Sequence, residues 1–463
     1  MDIKRFALIS AVAGSALLVS FTVRSETLHS ALISAYSNNP TLNAARAQQR
    51  AQNENVAQAR AGRRPTIAAT SSIGLQSQRS FQSGGFGTGG FNDDFGTASA
   101  GLTLSQNLFN GFQVSNNIKS AQSGVRAGFE SLRNTEQTVL LSAVTSYVDV
   151  IRDRDIMNLQ ERNTNFSREQ LRAAKAQADV GEGTRTDVAL AEANLAASLS
   201  NLAAAKAALR ASEATYLQVV GIQPGKLASP SDAVKYLPPS LDASLNVARS
   251  EHPLIKAAQH NVDSGQFNVK VNEGTLLPSV SLNGNYQRSI QAGTADLNAD
   301  VGSLTANLTV PLYQGGARFS NIRQAKEVVN QLRIEVDETR RLIDQTVRAS
   351  WAELESARSQ TQSAQENVRS SQIALDGLVE ERKVGEATTL DVLNAQSNLI
   401  TAQVSLATAR RNRIVASYSL LSSIGRFTGE QVDVAQATNV IPTQVHYKQV
   451  RDKWFGLRTT SGN

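Results

Sequence analysis

VGEGTRTDVALAEANL (residues 180–195) returns as VGEATTLDVLNAQSNL (residues 384–399). The register holds without a gap at an offset of 204 residues, out to Gly221 and Gly425. A duplication at so long a period makes two structural halves, each built so that it needs a neighbour. Working outward from these two stretches, the same order of parts appears twice.

Each half opens with short helices, Leu28–Tyr36 and Pro40–Gly62 in the first, Leu241–Ser250 and Pro253–Gly274 in the second. Asn39-Pro40 answers to His252-Pro253, and Arg64-Pro65 to Leu277-Pro278, at an offset of 213. Proline suits the first turn of a helix, where its missing N–H is not needed, and the opening of a strand.

The period then changes from helix to strand. Ile67, Ala69, Ile73 and Leu75 alternate with Thr70, Ser72 and Gln76; Ala98, Ala100, Leu102 and Leu104 alternate with Ser99, Thr103 and Ser105. In the second half Val280, Leu282 and Tyr286 alternate with Ser281, Asn283 and Asn285. There too Leu304, Ala306, Leu308, Val310 and Leu312 alternate with Thr305, Asn307 and Thr309. Such alternation predicts strands with one apolar and one polar face, near residues 66–78, 98–109, 279–290 and 301–312. Each is long enough to cross a bilayer when tilted. Between the first pair, GFGTGG (residues 85–90) matches a dinucleotide-binding pattern. It joins strand to strand and opens no helix, so phosphate binding lacks its structural context. It reads as part of an exposed loop, about nine residues longer than its counterpart, which accounts for the drop in offset from 213 to 204.

Long helices follow, over residues 111–180 and 315–384. The stripes Val125, Phe129, Leu132, Val139, Ala143, Tyr147, Ile151 and Val329, Leu332, Val336, Ile343, Val347, Trp351, Leu354 step by three, four and seven, the spacing of coiled coils. Seventy residues would span roughly 100 Å. Return helices are expected over 186–220 and 389–424. The repeats therefore occupy 26–221 and 241–425, joined by a linker at 222–240 and followed by an equatorial stretch and loose tail at 426–463.

Composition agrees. Across 463 residues aromatics are 5%, prolines number ten and there is no cysteine, which excludes disulfides and thiolate metal sites. Lys4 and Arg5, the apolar run Phe6–Val23 and the small-residue site Val23-Arg24-Ser25 read as a secretory signal peptide at residues 1–25, leaving Glu26 first in the mature chain. Its loss removes three positive charges and one negative, so the net charge falls from +6 to +4. That excess is too small to argue for nucleic acid. No other run is expected to reach the ~18 apolar residues of a membrane helix. His29, His252, His260 and His446 are scattered, and no catalytic constellation or cofactor motif is present.

Four amphipathic strands cannot close a membrane barrel, and open edges are not tolerated in hydrocarbon. Copies of the chain must share one barrel. Two copies would make eight strands, with an interior filled by side chains; three would make twelve and leave a lumen. The expected class is an α+β membrane protein of tandem-duplicated halves.

The two copies of VGE-x-T-x-x-DV, the strand-to-helix corners LFNGF (108–112) and LYQGG (312–316) and the duplicated order of elements resemble the TolC-like outer membrane efflux proteins, over nearly all of residues 26–425. The resemblance implies a homotrimer: a twelve-stranded β-barrel in outer membrane lipid, continuous with a long periplasmic α-barrel. It implies passive export of drugs, toxic small molecules or proteins. The implied partners are a periplasmic adaptor and an inner-membrane transporter of RND, ABC or MFS type, within a tripartite efflux pump or type I secretion system. A secreted coiled-coil scaffold or a periplasmic adaptor protein is the alternative. It accounts for the hairpins but not for four matched strands.

Asp187 and Asp391 stand at matching places beyond the two tips. One reading is helix-start chemistry, with Thr186-Asp187 and Thr388-Thr389 as capping and first-turn residues. The other is a gate. The resemblance places pore-facing aspartates on the second hairpin, where three copies of Asp391 would favour cations and raise one another's pKa. It keeps the Thr-Asp pair of the first hairpin as Thr186-Asp187. A second gate aspartate falls on Asn394, the gate arginine on Ala387 and the gate tyrosine on Arg382. A closed gate would therefore rest on other bonds, through Arg382 or Arg185. The tips Val180-Gly181-Glu182 and Val384-Gly385-Glu386 let the chain reverse, and the resemblance adds docking of the adaptor there.

Overall fold

The computed structural model describes residues 26–84, 87–292, 297–438 and 440–457. The expected signal peptide lies outside them, as do Gly85 and Phe86. The duplication is plain in the order of elements: α1 (Leu28–Asn38), α2 (Pro40–Ala61), β1 (Thr66–Gly84), β2 (Gly87–Asn110), α3 (Gln113–Asp179) and α4 (Arg185–Val220) are answered by α5 (Leu241–Glu251), α6 (Pro253–Gly274), β3 (Ser279–Ala292), β4 (Leu297–Thr309), α7 (Ala317–Lys383) and α8 (Thr389–Ser423). A last helix, α9 (Thr443–Val450), follows. Paired helices match closely: α1 and α5 each have 11 residues, α2 and α6 22, α3 and α7 67.

The caps are duplicated too. Pro40 and Pro253 occupy the first turns of α2 and α6, and Asn39 and His252 accept the N–H groups of Leu42 and Leu254, each at 3.2 Å. At the base of the sheet, Gly111 and Gly274 bring their backbones into contact; a side chain on either would strike the other's carbonyl oxygen. Two glycines are needed there for the end of α6 to meet the start of α3.

The four strands form one antiparallel sheet in the order β1-β2-β3-β4. Register gathers the alternating residues of all four onto one face. Ile67 lies opposite Leu104, Ala69 opposite Leu102, Leu102 opposite Tyr286 and Ile73 opposite Ala98. Gly284 lies opposite Leu304, and Val280 opposite Leu308. A bulge between Asn107 and Phe109 shifts the phase so that Phe109 meets Val280 and joins the same face. Ile73 and Leu75 are about nine-tenths exposed, so this face has no protein partner in the protomer. The outer edges of β1 and β4 are unpaired within the chain.

Three expectations are corrected. The ladder of β1 and β2 runs on to Gly84 opposite Gly87, so most of the glycine-rich stretch is strand rather than loop. Backbone pairing continues where side-chain alternation has lapsed. Conversely β4 ends at Thr309, and Val310 and Leu312 leave the ladder; Pro311 has no N–H to donate. Finally, α4 holds an 18-residue window of mean hydropathy 1.2, enough by length and composition to cross a bilayer, contrary to the expectation of no such run. Its many alanines raise that figure, and the helix lies along α3, where the Thr164 hydroxyl donates to Ser198 O at 3.3 Å.

The hydrophobic core sits midway along the hairpins, where α1, α3, α5, α7 and α8 meet around Leu140, Val144, Tyr147, Val347, Leu420 and Phe427. The start of the described chain is tied into it. Tyr147 Oη lies 2.8 Å from Glu26 O and 2.7 Å from Ala228 O, and the Tyr216 hydroxyl donates to the Glu26 carboxylate. Both tyrosines are fully buried. A buried hydroxyl needs such a partner.

Candidate functional site

The two hairpins end side by side. At the first tip, Glu182 N and Gly183 N bond back to Gln177 O at 2.9 and 3.0 Å; at the second, Glu386 N bonds to Glu381 O at 3.0 Å. Gly181 and Gly385 both have φ of +83°, in the left-handed region that disfavours a side chain. No atom lies within 4 Å of where a Cβ would stand on either, so the requirement is conformational rather than spatial. Val180 and Val384 are 71% and 74% exposed. Glu182 and Glu386 are exposed beside them.

Each return helix then opens with the same capping box. Thr184 Oγ1 accepts the N–H of Asp187 at 3.1 Å, while Asp187 Oδ2 accepts the Thr184 N–H at 3.1 Å and its hydroxyl at 2.6 Å. Thr388 and Asp391 repeat the pattern at 3.2, 3.0 and 2.6 Å. The Thr-Asp partner of Asp187 is therefore Thr184, and Thr186 is an exposed residue of the first turn. Likewise Thr388 is the cap and Thr389 the first helical residue. The spacing T-x-x-D was visible in both halves.

These bonds also set the direction of titration within the protomer. The Thr184 hydroxyl and N–H hold Asp187 below the usual carboxylate range, helped by Arg382 and Thr389. The Thr388 hydroxyl and N–H do the same for Asp391. Hydrogen bonds that only the charged form accepts favour that form. Asp187 is half-exposed, and Asp391 and Asn394 are exposed on the first turns of α8.

Polar bonds link the first hairpin to the second. Arg382, near the end of α7, donates through Nη1 to Gln170 at 2.6 Å and through Nη2 to Gln177 at 3.3 Å, both on α3. Gln396 Nε2 donates to Asn163 Oδ1 at 3.1 Å, and farther up Arg411 Nε reaches Asp149 at 2.8 Å. A small apolar cluster of Leu375, Val392, Ala395 and Leu399 backs the tip. Of the two arginines that could link the hairpins, Arg382 does so; Arg185 is exposed and has no polar partner among the described residues. Sequence reading missed Gln170, Gln177 and Asn163, since glutamine and asparagine on a long polar helix carry no distinguishing signal.

A sheet with one apolar face, running without a break into paired helical hairpins of this length, is the fold of an outer membrane export channel. The family model described as outer membrane efflux protein matches residues 31–221 and 244–426, and the chain belongs to that family. It is 42% identical over 439 residues to the outer membrane efflux protein BepC of Brucella suis biovar 1, covering 95% of this chain and 93% of that one. It is 24% identical to the outer membrane protein TolC of Escherichia coli K12, over 88% and 83%. The solved outer membrane channel CmeC of Campylobacter jejuni superposes with a TM-score of 0.73 at 17% identity, over 92% of this chain and 89% of that one. The protein is an outer membrane channel for export from the periplasmic side, and systems of this kind join it to adaptor and inner-membrane components. The scaffold and adaptor alternatives fall, because they have no use for the sheet.

Proposed function

We propose that three copies of the chain close a twelve-stranded barrel and a continuous periplasmic tunnel, through which small toxic molecules or proteins leave the cell without chemistry at the channel itself. The observation that carries this reading is the sheet, which pairs a mostly apolar, exposed face with two edges unpaired within the chain. Water cannot satisfy an edge inside a bilayer, so another copy must. The helical layer repeats the requirement. The residues of α4 buried in the protomer, Ala191, Ser198, Ala205, Ser212, Tyr216 and Val220, recur every four or seven residues, and Leu190, Leu199 and Leu217 are exposed. Such a helix has a second face to give to a neighbour.

The tips suit docking of a periplasmic adaptor: a rigid glycine turn presents a bare valine and a glutamate at the end of each hairpin. An inner-membrane transporter of RND, ABC or MFS type would select the cargo. Between the tips, Asp391 would supply a ring of negative charge, with Asp187, Thr186 and Asn394 on the same turns. Arg382 would hold the closed state by tying α7 to α3. The experiment is a deletion strain complemented with wild-type and variant genes. Restored resistance to dyes and bile salts, with a heat-modifiable trimer in outer membrane fractions, is the expected result. A monomer in those fractions, or resistance unchanged by the deletion, would overturn the reading.

A further inference from the structure

The last described residues do not trail away as the expected loose tail. The segment after α8 returns to α2 and follows it toward the sheet. Asn53 Nδ2 donates to Thr443 O at 3.1 Å and lies 3.3 Å from His446 Nδ1. One turn beyond α9, Asp452 pairs with Arg60. Arg64 then donates to Lys453 O at 2.7 Å and to Asp452 O at 3.2 Å, and its guanidinium lies 4.4 Å from the centre of the Trp454 ring. Contacts thus advance along the first half from Asn53 through Arg60 to Arg64 as the tail advances from Thr443 to Trp454. Two residues past Arg64 the first membrane strand begins at Thr66.

At that point the tail exposes what a soluble surface would hide. Trp454, Phe455 and Leu457 are 60%, 87% and 98% exposed. The two rings lie 6.5 Å apart. The same level of the molecule carries other bare apolar groups. Leu108 and Phe112 flank the first strand-to-helix corner, and Leu312 and Tyr313 the second, all more than half exposed. At this end of the tail Asp452 meets Arg60 and Arg451, Arg64 lies against the backbone of Asp452 and Lys453, and earlier on α2 Glu54 faces His446.

We propose that KWFGL (residues 453–457) is an interfacial anchor, seating Trp454, Phe455 and Leu457 among the phospholipid headgroups of the leaflet nearest the periplasm. The patch continues the apolar face of the sheet, which is already the membrane surface of this channel. Tryptophan and arginine favour the headgroup level, where one end of each group is apolar and the other wet. Arg64 is the hinge pin: it clamps the tail backbone and stacks on Trp454, coupling the height of the anchor to the start of β1. The anchor would fix the barrel's depth in the membrane.

Trp351 and Trp454 are the two tryptophans of the chain, so Trp351→Phe leaves Trp454 as the sole reporter. The full-length variant is reconstituted in phosphatidylethanolamine–phosphatidylglycerol vesicles, with or without lipids brominated near the top of the acyl chain. The expected result is loss of Trp454 emission with bromolipid and protection from aqueous acrylamide. Trp351, read in Trp454→Phe, should lose nothing to bromolipid. Quenching by acrylamide but not by bromolipid would place the tail in water and overturn the proposal. Protection from both quenchers would mean that protein covers it, and would overturn it equally. Arg64→Ala, which leaves every strand residue intact, should weaken bromolipid quenching; quenching unchanged in that variant would remove Arg64 from the clamp.

Discussion

His252 offers a test that the duplication itself designs. It caps α6 as Asn39 caps α2, and both residues are buried. Asparagine does not titrate, whereas burial pushes the His252 ring down to about 4 from an ordinary 6.5. A base whose folded pKa is depressed is held neutral by the fold. Its contribution to stability is complete above the unfolded pKa and is lost as pH falls through the window from 6.5 toward 4. The difference of 2.5 units (6.5 minus 4) corresponds to about 3 kcal/mol per protomer. With an unfolding entropy of ~2 cal/mol/K per residue, a protomer of this length should lose about 3 °C of melting temperature from this one group. The variant is His252→Asn, which copies the cap of the first half. Wild type and variant are purified in the same detergent and melted at pH 7 and pH 4. They should melt close together at pH 7, and the variant about 3 °C higher at pH 4. Equal losses on acidification would show that His252 is not the group responsible, and the reasoning from burial would fail.

The other tests concern the tip. Arg382→Ala removes two partly exposed hydrogen bonds worth about 1 kcal/mol each, which should move the closed-to-open balance roughly 30-fold. Single-channel conductance should rise, Arg185→Ala should leave it unchanged, and a silent Arg382→Ala would remove that residue from the gate. Asp391→Ala should abolish cation selectivity and block by multivalent cations. Because the cap lowers the carboxyl's pKa, wild-type selectivity should persist through mild acid and fade only below the usual carboxylate range. Gly181→Lys and Gly385→Lys each place a side chain at positive φ, costing about 1–2 kcal/mol, with open space around it. The oligomer should survive in the membrane while drug resistance is lost; full resistance would argue against docking at the tips.

The duplicated tips, the prolines and two periodicities carried most of the architecture. Period two marked the strands and period seven the hairpins, and the same order of elements repeats in the structure. These are local properties: an alternating strand or a heptad stripe is written in the spacing of its own side chains, and a glycine turn in one backbone angle. What lay beyond reach depended on neighbours far along the chain. The T-x-x-D spacing was legible in both halves, but that Thr184 rather than Thr186 partners Asp187 is settled by which hydroxyl meets which N–H. Within one protomer the Thr388 hydroxyl and N–H lower the Asp391 pKa, a contact that charge alone does not show. Arg382 found glutamines more than two hundred residues away, and the tail found Arg64 at the foot of the first strand. A polar side chain on a long solvated helix has many possible partners and no periodicity to choose among them; only the packing of one hairpin on the other, and of the tail on α2, makes the choice.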